Sequence, residues 1–258
     1  MQNITPGQYD LIYNAFSFGF ATLAAATLFF WFGRSQVAPQ YKTAMTITGL
    51  VTFIAAYHYF RIFESWEAAY NVANGTLTTT GYAFNRAYRY VDWMLTVPLL
   101  LVELILVMGL SRSETVSRAT RLGLLAALMI ALGYPGEIAT DNYTRLLWGS
   151  LSMIPFLWIV YELFVGLSRS IEAQPADARG LVSAARYVVI GSWAFYPVVY
   201  FAGSAGFEGA TAGTIIEVGY TIADITAKAV FGVMIFMIAE RKSASYFQSL
   251  RSTVQPAE

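Results

Sequence analysis

Cysteine is absent from the 258 residues, and histidine occurs once. The first absence excludes disulfides, thiol nucleophiles and cysteine-bound metals; the second excludes a histidine metal cluster. Charge is also scarce. Charged side chains make up 12% of the chain and cancel to a formal net charge of zero, so no broad attraction for nucleic acid is expected. No glycine-rich phosphate loop or other soluble-enzyme motif is visible, and the chain is not read as an enzyme. Residues 1–10 lack a basic n-region, so the first apolar run is expected to be a retained span, not a cleaved signal peptide. What the chain has in abundance is apolar surface. It is 57% hydrophobic and 16% aromatic, the composition of a membrane protein embedded in a lipid bilayer.

Seven apolar segments can be counted, at 9–32, 44–63, 87–110, 122–134, 146–167, 182–202 and 211–239. The fourth is the shortest and can extend back through Arg118. An all-α bundle of seven transmembrane helices is therefore expected as one domain over 1–258, with a short N-terminal segment 1–8 and a tail 244–258. Asn, Gly and Thr between the second and third segments, over 71–81, predict a short β-hairpin. Arg34, Lys42, Arg112, Arg118, Arg121, Arg169, Arg179, Arg241 and Lys242 fall in loops on one side, against Arg86 and Arg145 on the other. By the positive-inside rule the N-terminus is outside and the C-terminus cytoplasmic.

Two segments carry charge where lipid should forbid it. In the seventh, Asp224 and Lys228 are four residues apart and share a helical face. A charge at that depth must be paired or face a wet interior, so such a lysine is a functional candidate; the bland alternative is a structural ion pair. In the third, Arg89-Tyr-Val-Asp92-Trp93-Met-Leu-Thr96-Val-Pro98 runs on to Glu103. Asp92 and Glu103 are three turns apart, about 16 Å along one face. Arg89, one turn outward, is expected to be a cationic neighbour that keeps Asp92 ionised. Glu103 sits among Leu and Val and is expected to start protonated. Two acids on one face with a lysine on another helix argue for a proton path.

These motifs, Arg-Tyr-Val-Asp-Trp in the third segment and Asp-Ile-Thr-Ala-Lys in the seventh, resemble the microbial (type 1) rhodopsins over nearly the whole chain. The triplet Asp92, Thr96 and Glu103 resembles the acceptor, threonine and donor of outward proton pumps of the proteorhodopsin and xanthorhodopsin groups. The resemblance implies a light-driven proton pump with all-trans retinal bound to Lys228 as a Schiff base and Asp224 as second counterion, its charge offset by Arg89. It further implies a retinal pocket of Trp93, Leu100, Ser152, Trp193, Tyr196 and Pro197, with Leu100 matching green-absorbing members. His58, in Tyr-His-Tyr-Phe-Arg, matches a histidine that bonds the acceptor aspartate; a lone membrane histidine is otherwise an ordinary packing residue. Gly149 matches a site where xanthorhodopsin-like proteins leave a window for a hydroxylated carotenoid antenna, with close helix packing as the equal alternative. A homo-oligomer, trimer or pentamer, in the plasma or inner membrane is implied as well. Glu208 and Glu217 are the candidates for proton release. A photosensory rhodopsin signalling through a partner is the competing expectation, and a receptor or transporter without chromophore is a third.

Overall fold

The computed structural model describes residues 4–73 and 76–254. The hairpin tip at 74–75, the first three residues and the last four, which belong to the expected terminal segments, lie outside the described residues. Among the described residues the chain forms seven long helical rods and one two-stranded hairpin. The rods are α1 (Pro6–Gly33), α2 (Lys42–Ala69), α3 (Ala87–Met108) and α4 (Arg112–Glu137). They continue as α5 (Asn142–Gly166), α6 (Ala176–Ala202) and α7 (209–254). The rods close into a ring, each packed on the next and α7 returning to α1.

Local chemistry sets the rod ends. Thr5 and Gln8 form a reciprocal capping box ahead of Pro6, with Thr5 N–H donating to Gln8 Oε1 at 3.0 Å. Ser111 caps α4 and Asp141 caps α5 by accepting from the amides of Glu114 and Thr144. Asp141 is held below the usual aspartate range by that bond. Pro197 has no N–H for the carbonyl of Trp193, and α6 breaks its helical run at Ala194. β1 (Tyr70–Ala73) and β2 (Thr76–Thr79) pair antiparallel, Tyr70 opposite Thr79, as the hairpin expected between the second and third spans. Beneath it the rings of Tyr9, Phe16, Trp66 and Phe84 pack together and close that end of the bundle.

Three expectations shift in detail. The fourth helix extends past Arg118 to Arg112, because Ser111 supplies a cap and the arginine-rich first turns need no lipid. The seventh does not end at Ala239. It stays helical to Val254, so most of the expected tail is helix. Six rods are long and apolar enough to cross a membrane. α2 is long enough but falls short in hydropathy, because His58, Arg61, Glu64 and Glu67 crowd its last three turns and its inner face is lined by Thr48 and Thr52.

α3 ends at Gly109, which adopts φ +68°, the left-handed conformation that closes a helix. A Cβ at this position would stand 3.3 Å from Lys242 Nζ, so a side chain there meets both backbone strain and a crowded ammonium. Gly109→Ala is expected to lower stability by about 1–2 kcal/mol, read by thermal unfolding in micelles.

Candidate functional site

α7 widens into a π-helical turn at Thr226–Val230, and Lys228 projects from it into the middle of the ring. Its ammonium is buried and donates to Asp224 Oδ1 at 2.6 Å and to Asp92 Oδ2 at 2.8 Å. The i,i+4 spacing brings Asp224 to the lysine, and α3 brings Asp92 from across the bundle. Such a buried group persists only with partners, since an isolated ion in this environment costs several kcal/mol.

The two carboxylates are not equivalent. Asp224 Oδ1 also accepts from Tyr196 OH at 2.8 Å and Trp93 Nε1 at 3.1 Å. Its Oδ2 accepts from Tyr59 OH at 2.9 Å and lies 3.8 Å from Arg89. Among the described residues Asp92 has the lysine as its one donor, and its Oδ1 is buried with no hydrogen-bond partner. One acid is saturated with donors, and the other has an open lone pair. Thr96 donates its hydroxyl to the Asp92 backbone carbonyl at 2.8 Å, so it holds the helix turn and not the carboxylate.

Arg89 does not keep company with Asp92 as the spacing suggested. Its guanidinium turns outward to Glu217 Oε2 at 2.6 Å, with Asp224 as its second ion-pair partner. Three residues on a helix bring two Cα atoms to one face, but a long arginine then follows the nearest anion. Glu217 is fully buried and also takes Arg86 at 3.1 Å. Arg86, Arg145, Glu137 and Glu217 border an outer cavity. Glu208, by contrast, is an exposed residue at the start of α7, a solvated loop acid.

Glu103 lies on the opposite side, fully buried, with neither oxygen hydrogen-bonded among the described residues. Thr48 is its polar neighbour, and Thr48 spends its own proton on Ala44 O. An anion here would have neither a cation nor a donor, whereas a carboxylic acid could donate to Thr48. His58 is buried, with Nδ1 2.9 Å from Ile54 O. A carbonyl can only accept, so Nδ1 carries a proton and Nε2 is the free nitrogen. The expected hydrogen bond to Asp92 is not formed, since Oδ1 has no partner and the bond to Oδ2 comes from Lys228.

From Lys228 an apolar cavity runs between α3, α4, α5 and α6. Trp93, Leu100, Ser152, Trp193, Tyr196 and Pro197 all line it, as does Gly149. Ser152 turns its hydroxyl to Met129 O at 2.7 Å and so offers the cavity no free donor. An elongated apolar group joined to the lysine nitrogen fits this donor set: ring walls along its length, and charge only at the lysine end. Gly149 is not an open gap. Tyr200 lies over it, and a Cβ there would fall 2.4 Å from the Tyr200 ring, so close packing from within occupies the space. The tyrosine is fixed by its bond to Arg145 O at 2.9 Å.

Several residues that matter escaped the sequence reading. Tyr59 adjoins His58 in the motif, but no spacing rule says which carboxylate it meets across the bundle. Glu137 reads as a loop acid at the end of α4. Glu162, in a π-helical turn of α5, is paired with Arg121 at 2.8 Å and Arg118 at 3.8 Å far from the lysine.

The family model described as bacteriorhodopsin-like protein matches residues 11–241. A green-light absorbing proteorhodopsin of Gamma-proteobacterium EBAC31A08 is 32% identical over 87% of this chain and 85% of its own length. Among solved structures, xanthorhodopsin, a light-driven ion pump with dual chromophore, superposes with a TM-score of 0.91 at 50% identity. That match covers 95% of this chain and 98% of the other. A thermophilic rhodopsin is similar at 44% identity, with a TM-score of 0.91 and coverage of 94% and 98%.

Breaking the outer ion pair should be costly, because one partner would stay behind as a buried charge. Glu217→Gln is expected to destabilise the protein by about 3 kcal/mol, measured by thermal unfolding in micelles.

Proposed function

The chain belongs to the bacteriorhodopsin-like family, and from that premise we propose that it is a light-driven outward proton pump with retinal held on Lys228 as a Schiff base. When bound, retinal supplies light absorption and an isomerisation that reorients the lysine nitrogen. The rest is chemistry of the chain. Asp92 takes the proton from the Lys228 nitrogen, because its Oδ1 has a free lone pair and no competing donor. Asp224 stays ionised under its four hydrogen bonds and holds the nitrogen in place. Glu103 then returns a proton to the lysine from the cytoplasmic side, where it rests as an unpartnered acid. Arg89 and Glu217 separate the acceptor from the outer cavity, so a proton leaving Asp92 passes along a charged wall and does not return inward.

The observation that carries this reading is the inequality of the two carboxylates at one buried lysine. It is supported by a neutral acid held in reserve on the other side. The positive-inside orientation gives the direction, from cytoplasm to exterior, across the plasma or inner membrane. A trimer or pentamer is the assembly we favour. In illuminated cells the medium should acidify, and an uncoupler should abolish the signal. A photosensor would leave the medium unchanged and would contradict the proposal. Glu103→Gln should leave the pigment intact and slow the return of the proton to Lys228 by about 100-fold, followed by flash photolysis.

A second chromophore belongs to the same proposal. The likeness to a dual-chromophore pump supports a hydroxylated carotenoid lying on the lipid side of α5, its ring directed at Gly149 and Tyr200. With no Cβ at 149, only the tyrosine ring would separate it from the cavity. Adding such a carotenoid should bring its absorption bands into the excitation spectrum of retinal, and Gly149→Trp should remove them. Unaltered protein that shows no transfer would refute the antenna.

A further inference from the structure

Three consecutive residues of α7, Arg241-Lys242-Ser243, tie this rod to every neighbour at the cytoplasmic end. Arg241 donates to Asp177 O at the start of α6, at 3.2 Å. Ser243 is fully buried, accepts from Ala38 N in the α1–α2 turn at 2.8 Å, and donates to Ala239 O. Lys242 sits between them. Its ammonium donates to Val107 O at 2.7 Å, Met108 O at 2.9 Å and Gln174 Oε1 at 2.7 Å. Gln174 is itself buried, in the α5–α6 connection, and donates to Met108 O at 3.0 Å.

Those acceptors have a common origin. The last carbonyls of α3 have no partners within the helix, and they form the negative end of its dipole. An ammonium is well matched to them, and a charge-assisted bond to each is stronger than a neutral one. Among the described residues Lys242 has no carboxylate partner, so the helix end is its counter-charge. It lies fourteen residues from Lys228, about 21 Å along α7 and beyond the half-thickness of the hydrocarbon core, about 15 Å. Glu103 is one to one and a half turns inward from the carbonyls it holds. The knot of α3, α7 and Gln174 therefore stands between the cytoplasm and a carboxylic acid sealed from water.

We infer that Lys242 is a positioning residue for proton uptake: it latches the cytoplasmic mouth over Glu103 and sets how fast that carboxylate regains a proton from cytoplasmic water. The inference rests on the reading of Glu103 as the internal donor. While the latch holds, Glu103 stays dry and keeps its proton for Lys228. When the last turn of α3 parts from Lys242, water reaches the carboxylate and recharges it. The latch lets the acid face the lysine first and the cytoplasm afterwards.

The test is flash photolysis of the full-length, retinal-loaded protein in membranes with a pH-sensitive dye. It compares the unaltered chain with Lys242→Met, Lys242→Arg and Gln174→Met. Proton uptake should be about tenfold faster in Lys242→Met and about threefold faster in Gln174→Met, and Lys242→Arg should stay within about twofold of the unaltered chain. The earlier transfer from the Lys228 nitrogen to Asp92 should not move by more than about twofold in any variant, which a general loosening of the fold would not respect. Uptake unchanged or slowed in the methionine variants overturns the latch, as does an equal change in both steps. If Lys242→Met fails to fold, Gln174→Met decides alone. An unaltered protein with no light-driven uptake overturns the pump reading and the latch with it, whereas uptake that ignores both variants overturns the latch only.

Discussion

A buried ammonium shared by two unlike carboxylates is the constraint from which the remaining structure follows. Lys228 alone would be a large penalty in the middle of a bilayer. With Asp92 and Asp224 both ionised, the inner group instead carries one negative charge too many. Arg89 lies between that group and Glu217, and with Arg86 and Arg145 it brings three cations to the outer cavity. Arg86, Arg89, Arg145 and Lys228 then stand against Asp92, Asp224, Glu137 and Glu217, four against four. A proton passing from Lys228 to Asp92 neutralises one member of each set and leaves the balance unchanged. That makes the transfer inexpensive in a medium where net charge is costly.

The polarity of the path comes from how the two ends of the bundle differ. Toward the exterior the site opens on a cavity walled with arginine and glutamate. Toward the cytoplasm Glu103 is buried with neither oxygen hydrogen-bonded among the described residues, and the helix ends beyond it are closed by α7. In the proposed pump, hydrogen ions leave through charged surroundings and re-enter through a dry segment. The break of α6 at Ala194 and the π-helical turn of α7 at Thr226–Val230 both lie beside the lysine cavity. The regular helix ladder is interrupted where a bulky group must be accommodated.

Spacing within a helix was legible; partnership between helices was not. Asp224 and Lys228 at i,i+4, and Asp92 and Glu103 three turns apart, need only helical periodicity to be paired or aligned. Arg89 also shares a face with Asp92, yet its true partner, Glu217, is 128 residues away and no local rule reaches it. The turns before Arg118, back to Arg112, looked like loop because hydropathy is low there, although a Ser111 cap starts the helix. Lys242 counted only as a positive-inside charge, since its acceptors are backbone carbonyls that leave no trace in residue type. Gly149 was readable as a place without a side chain, but Tyr200, which covers it, comes from another rod.

The proposed pump requires Asp92, and not Asp224, to receive the proton from Lys228. Light-minus-dark infrared difference spectra of the retinal-loaded protein measure this directly. A carboxylic acid C=O band should appear on illumination and shift in Asp92→Glu. A band that stays in place in that variant, or the absence of any new carboxylic acid while the lysine nitrogen loses its proton, would contradict the assignment.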